Sequence, residues 1–200
     1  MRSRFLVLPL SAAVIAGLVA YRYAREDAPV SEVDLVERRL APPSRMSALD
    51  GKELRLQGML GRHVILLAFF DGHVPVTEEP LLALLRERHS DLHARNVEAL
   101  AVSGAPLGRY KADLRAAAER GLPGSPPFRL LTDMRSGPGG IVIEGETHAE
   151  WGVPELLKSR PLPIVFLIDR GGRVPYGDDR PKPLDEPESA IRRLALGEDA

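Results

Sequence analysis

Along this chain, unbroken apolar runs of strand length alternate with stretches in which apolar residues return every three or four positions. Behind the turn pair Asp50-Gly51, Leu54 and Leu56 alternate with Arg55 and Gln57, which predicts a short hairpin strand. Residues 64–70 are continuously apolar, as in a central strand buried on both faces. A helix is predicted from Glu79, with Leu81, Leu84, Leu85, Arg88 and Leu92 on one stripe and Glu78 and Glu79 at its positive start. Residues 97–102 read as a second buried strand, and 108–120 as a second helix ended by Gly121 and Pro123. A short strand at 128–131 precedes the loop Ser136-Gly137-Pro138-Gly139-Gly140. Ile164–Ile168 and Arg173-Val174 read as an antiparallel hairpin, and Pro187–Leu196 as a closing amphipathic helix. This alternation predicts an α/β fold with parallel strands joined by crossovers, and no internal repeat is present.

The amino-terminal pattern is different. Arg2 and Arg4 precede an apolar run at 5–21 broken only by Pro9 and Ser11, and Arg22 and Arg25 close it. As a helix the run would span about 26 Å, slightly less than a ~30 Å hydrocarbon core. Residues 1–24 therefore read as a membrane anchor, with a cleaved signal peptide as the alternative. The best small-residue cleavage pattern, Val14 to Ala16, lies inside the apolar run and favours the anchor. Residues 25–47 form a polar tether in which Val33, Val36 and Leu40 have helical spacing and Pro42-Pro43 ends any helix. The folded domain is assigned to 48–200, on the extracytoplasmic side of the membrane, or secreted or periplasmic if the segment is removed.

Composition narrows the function classes. The 27 basic and 28 acidic residues leave a net charge of -1, and aromatics make up 5%, so neither a basic face nor base stacking argues for nucleic acid. With no cysteine in 200 residues, disulfides, thiolate metal sites and thioether haem attachment are excluded.

Several blocks, taken in order, carry a family resemblance. Leu49-Asp50-Gly51-Lys52, Leu54, Leu56, Leu60-Gly61-Arg62 and the run at 64–70 resemble the opening of the redoxin group. That group includes the AhpC/TSA peroxiredoxins and membrane-tethered thioredoxin-like reductases. Trp151-Gly152-Val153 and the stretch from Pro163 to Val174 are similar to its closing half. The resemblance covers roughly residues 45 to 176 and implies a thioredoxin-like central mixed sheet flanked by helices, here preceded by an N-terminal hydrophobic helix.

The same resemblance locates what is missing. A thioredoxin-like member carries C-x-x-C where this chain reads Val74-Pro75-Val76-Thr77, and a peroxiredoxin alignment also sets Thr77 at the peroxidatic position. Those thiols act as thiolates at a helix start and exchange through a mixed disulfide, which neither Val nor Thr can do. Pro163 matches the family's cis proline facing the site, with Leu162-Pro163 as the cis bond, rather than the arginine of peroxiredoxins. Copper-delivery members of the fold place cysteine ligands where Val74 and Glu78 stand, so that ligand set is broken.

Candidate groups remain around the vacated positions. His73, Thr77, Glu78 and Glu79 cluster at the predicted helix start, with Thr77 read as the helix cap, and His73, Thr77, Glu78 and Pro163 form the candidate pocket. His89 and His93, four apart, share a helix face but lack a third ligand, so no metal and no cofactor is assigned. The expectation is a membrane-tethered redoxin-fold protein without its catalytic cysteines, a pseudoenzyme acting as a binding or scaffold module for a protein partner. The alternative is a family-type oxidoreductase or antioxidant working through another site or a partner's thiols.

Overall fold

Three apolar runs become the parallel centre of one sheet. In the computed structural model, which describes residues 40–136, 142–174 and 181–197, they are β3 (Val64–Phe69), β4 (Val97–Ser103) and β5 (Arg129–Thr132). The sheet has the order β2-β1-β5-β4-β3-β8, where β1 is Arg45–Ala48, β2 is Glu53–Arg55 and β8 is Ile164–Ile168. Strands β3, β4 and β5 run parallel, β1 joins β5 and β2 antiparallel, and β8 joins β3 antiparallel. The sheet is therefore mixed, as the resemblance implies.

Two crossovers connect the parallel strands through α1 (Pro80–Ala94) and α2 (Leu107–Glu119). Residues Leu66, Ala68 and Phe70 face these helices and α5 (Pro187–Leu196), burying Leu82, Leu85, Leu92, Tyr110 and Ile191. Ile65, Leu67 and Phe69 point the other way, onto Trp151, Val153 and Phe166. Burial on both faces explains why β3 shows no polar alternation. Trp151 lies between two short helices, α3 (Thr147–Glu150) and α4 (Val153–Leu156), and donates from Nε1 to Ser44 Oγ at 2.9 Å. Asn96, just past the C-cap Arg95 of α1, takes a positive φ of 61° that suits an Asn, and its side chain donates to the Arg62 carbonyl.

Several boundaries differ from the sequence expectation. Strand β1 starts inside the segment assigned to the tether, because Met46 is needed to cover the sheet face and pairs with Leu54. Leu56 leaves the strand for a single helical turn, Leu56–Gly58, yet remains fully buried. Arg173 forms no strand pair with β8. After the turn at 170–172 it bridges to Leu40, while the Gly172 carbonyl accepts from Ala41 N–H. The outer edge of β8 is instead met by Leu184, whose N–H bonds the Val165 carbonyl. A second, two-stranded sheet of β6 (Met134–Ser136) and β7 (Val142–Glu144) was not predicted. The hydrophobic segment at 5–21, most of the tether and the glycines at 137, 139 and 140 lie outside the described residues. Among the described residues no helix is long and apolar enough to cross a membrane.

Candidate functional site

The register of the sheet assembles the site. Parallel strands β3, β4 and β5 all point their carboxyl ends the same way, so the loops after Phe69, Ser103 and Thr132 gather at one edge. Because β8 is antiparallel to β3 with Ile164 opposite Phe69, the chain just before β8 also arrives there. Pro163 is thereby set beside the β3–α1 loop, and the Leu162-Pro163 peptide bond is cis, as the family resemblance implies.

The β3–α1 loop is pinned from α2 and β4. Phe70 stacks on Tyr110 at 6.0 Å and donates its N–H to the Val102 carbonyl. Gly72 lies so close to Ala105 and Ser103 that an added Cβ would come within 2.6 Å of Ser103 Oγ. Ser103 Oγ in turn bonds Tyr110 Oη and accepts from Ala105 N–H. Burial pushes the Tyr110 phenol up, which keeps that hydroxyl neutral. Asp71 Oδ1 accepts the His73 N–H at 2.8 Å, and Arg109 donates to the His73 carbonyl at 2.6 Å. The backbone of His73 is thus held while its side chain is exposed.

Helix α1 starts within one residue of the expected Glu79, but its cap is not Thr77. Pro80 takes its first position, having no N–H to lose there, and disfavours helical geometry at the preceding residue. The cap is therefore Glu79, which is extended and accepts from Leu81 N–H through Oε1 at 3.4 Å. Thr77 is left in the turn before the helix, with its Oγ1 buried and without a hydrogen-bond partner among the described residues. Glu78 is exposed.

A groove of about 1190 Å³ opens between this loop, α1 and α5. Val74, Leu162 and Pro163 line one end, and Leu81, Leu84 and Leu196 continue the apolar wall along the helices. Its carboxylates are Asp71, Glu79, Glu87, Glu186 and Glu188, against Arg192 and Arg193. Of the sequence-predicted pocket, only Pro163 faces the groove, together with the vacated position Val74. His73, Thr77 and Glu78 do not, and Asp71 and Glu79 take their place. Glu79 is 6% exposed. Burial raises its pKa, the Leu81 N–H offsets part of this, and the negative charge of Asp71 adds to it.

Sequence reasoning also missed a second polar cluster at the same sheet edge. Asp133, just after β5, is 1% exposed and accepts from the N–H groups of Thr147 and His148 and from the His148 ring at 2.8 Å. Burial alone would raise its pKa, but the His148 and Thr147 hydrogen bonds outweigh that and hold it below the usual value. The His148 ring meets Phe69 edge-on at 4.9 Å. This unit caps α3 and fixes it to the sheet; an aspartate 15 residues ahead of its histidine gives no sequence signal. His89 and His93 stack at 5.8 Å on α1, and among the described residues no group of three or more metal-binding side chains occurs.

No family model matches the sequence. No curated protein matches it either. Solved structures do. The chain superposes on the reduced 2-Cys peroxiredoxin of Plasmodium vivax with a TM-score of 0.53, 21% identity, and 80% of this chain and 94% of that one covered. A thiol:disulfide interchange protein from Bacteroides sp. gives a TM-score of 0.52 at 13% identity, covering 80% and 89%. For the mitochondrial 2-Cys peroxiredoxin of Plasmodium falciparum the values are 0.51 and 16%, covering 80% and 91%. The chain therefore has the thioredoxin-like fold that peroxiredoxins and thiol:disulfide interchange proteins share, built here from 200 residues without a cysteine.

Proposed function

We propose that this protein is a membrane-tethered, non-catalytic binding module that uses the site where its structural relatives keep their thiols. The observation that carries the reading is the pair of residues at the vacated positions. Val74 forms apolar wall beside Pro163, and Thr77 has a shielded hydroxyl with no partner among the described residues. Neither side chain can accept or release an electron pair as a thiolate does. The space around them is retained: the cis proline, the loop and the groove are all in place. A cleft that keeps its shape while losing its reactive group is suited to holding a ligand rather than transforming it.

Tethering rests on the apolar run at 5–21 between arginines, and the folded domain is read as lying outside the cytoplasm. Insulin reduction and peroxide consumption by the purified full chain test the reading. Both are expected to match the buffer blank. Turnover above blank that disappears in Thr77→Ala would overturn the binding-module reading and restore an oxidoreductase working through another group.

A further inference from the structure

The end of the sheet opposite the groove edge gathers positive charge. Arg62 leads into β3, and because β8 runs antiparallel to β3, Arg170 and Arg173 follow β8 at that same end. The Gly61 N–H donates to the Arg170 carbonyl at 2.7 Å, so the two segments are joined there. All three arginines are exposed, and none has an ion-pair partner among the described residues. Asp169, the carboxylate next to Arg170, is half-buried and accepts the Arg173 N–H through Oδ1 at 2.8 Å. Strand β3 is six residues long, which sets this end about 20 Å from the groove edge.

The chain enters the folded domain at this same end. Leu40 bridges to Arg173, and the Ala41 N–H donates to the Gly172 carbonyl at 2.7 Å. In sequence, Glu37-Arg38-Arg39 runs directly into Leu40, and covalent geometry alone keeps both arginines within about 8 Å of it. Arg38, Arg39, Arg62, Arg170 and Arg173 therefore converge on one end of a chain whose net charge is -1. Leu40 itself is 69% exposed, and an apolar side chain among cations is the composition of a segment that settles into a lipid headgroup layer. Tyr21, where the apolar run ends, lies 19 residues before Leu40, a reach of up to about 65 Å. Covalent attachment alone thus does not fix which face of the domain meets a bilayer.

Resting on the tethered part of the proposed function, we propose that this basic end lies against anionic headgroups of the bilayer entered by residues 5–21, with the groove edge turned away from it. The arginines donate charge-assisted hydrogen bonds to lipid phosphate oxygens, and an anionic surface attracts each cation that comes within a Debye length. The groove, at the far end of β3, then opens toward the aqueous side.

Energy transfer from the full chain to headgroup-labelled lipid tests this. The chain has no cysteine, so a single introduced one is a unique labelling site. His93→Cys and Glu78→Cys place a donor at exposed positions on the two ends of α1, whose 15 residues span about 22 Å. Each labelled chain is reconstituted into phosphatidylcholine vesicles with or without about 30% phosphatidylglycerol. On the anionic vesicles, transfer from the His93 site should exceed that from the Glu78 site by about twofold or more. The excess should vanish on neutral vesicles, and also in about 0.5 M salt, where the screening length falls to roughly 4 Å. Combining Arg62→Glu, Arg170→Glu and Arg173→Glu should abolish it on anionic vesicles.

Equal transfer from the two sites on anionic vesicles overturns the proposal, and is the result expected if the arginines serve an acidic partner protein instead. Greater transfer from the Glu78 site overturns it by turning the groove edge toward the lipid. An excess at the His93 site that persists on neutral vesicles or survives the three Glu substitutions overturns it too, because the arginines would not be setting the orientation. In each of these cases tethering stands as long as the chain still floats with the vesicles in about 0.5 M salt. A chain that leaves the vesicles at that salt brings down the tethered reading and the proposal together. If the triple variant does not fold, the lipid and salt series decide the outcome.

Discussion

Thr77 is where the residue chemistry and its surroundings disagree most sharply. A hydroxyl shielded from solvent with no acceptor or donor among the described residues destabilises by about 1–3 kcal/mol relative to a satisfied one. Thr77→Val keeps the branched shape and removes that hydroxyl, so urea unfolding should show unchanged stability or a gain of up to ~1 kcal/mol. A loss of ~1 kcal/mol would instead indicate a capping role. Glu79 carries a second residue-level prediction. Its raised pKa means the folded chain holds that proton more tightly than the unfolded chain does. The associated stability is present below the ordinary value of 4.5 and is lost as pH rises through the folded value. Thermal unfolding of Glu79→Gln should therefore show a higher midpoint than the parent at about pH 7, and the gap should close near about pH 4. Asp133 has the opposite sign: its lowered pKa gives stability present above 3.8 and lost as pH falls through the folded value. Asp133→Asn should cost about 2 kcal/mol at neutral pH, by loss of charge-assisted bonds, and flatten the acid limb of the stability profile.

At the level of elements, periodicity made the long pieces legible. The runs at 64–70 and 97–102 became β3 and β4 nearly residue for residue, and Pro187–Leu196 became α5 with the predicted bounds. Elements shorter than one full period were not legible. The β6–β7 pair and the short helices flanking Trp151 are held by tertiary partners, chiefly Asp133 and Ser44, rather than by a pattern of their own. The cap expected at Thr77 gives way to Glu79 because Pro80 fixes the first helical position outright. The identity of the site followed: Val74 and Pro163 could be placed from the resemblance, but the burial of Glu79 depends on where α1 starts and on α5 across the groove. Gly72 tests the packing of the loop as an element. Its hypothetical Cβ would press on Ala105 and Ser103, so Gly72→Ala should cost about 1–3 kcal/mol in urea unfolding and disturb the Phe70–Tyr110 stack.

Across the whole molecule, a mixed sheet with α1, α2 and α5 on one face and Trp151 on the other brings four chain segments to one edge. Under the proposed function, this edge keeps the geometry of a thiol site and lacks only the sulfur. The most direct test is to supply it: Val74→Cys with Thr77→Cys in the full chain, oxidised mildly and then alkylated before and after reduction. A disulfide needs Cα atoms about 4.4–6.8 Å apart with converging Cβ vectors, which the turn before α1 should provide. The predicted result is an intramolecular disulfide that blocks alkylation and reopens with reductant. Two thiols that remain free and alkylated after oxidation would contradict the claim, because the loop would then lack the geometry in which the vacated site was placed.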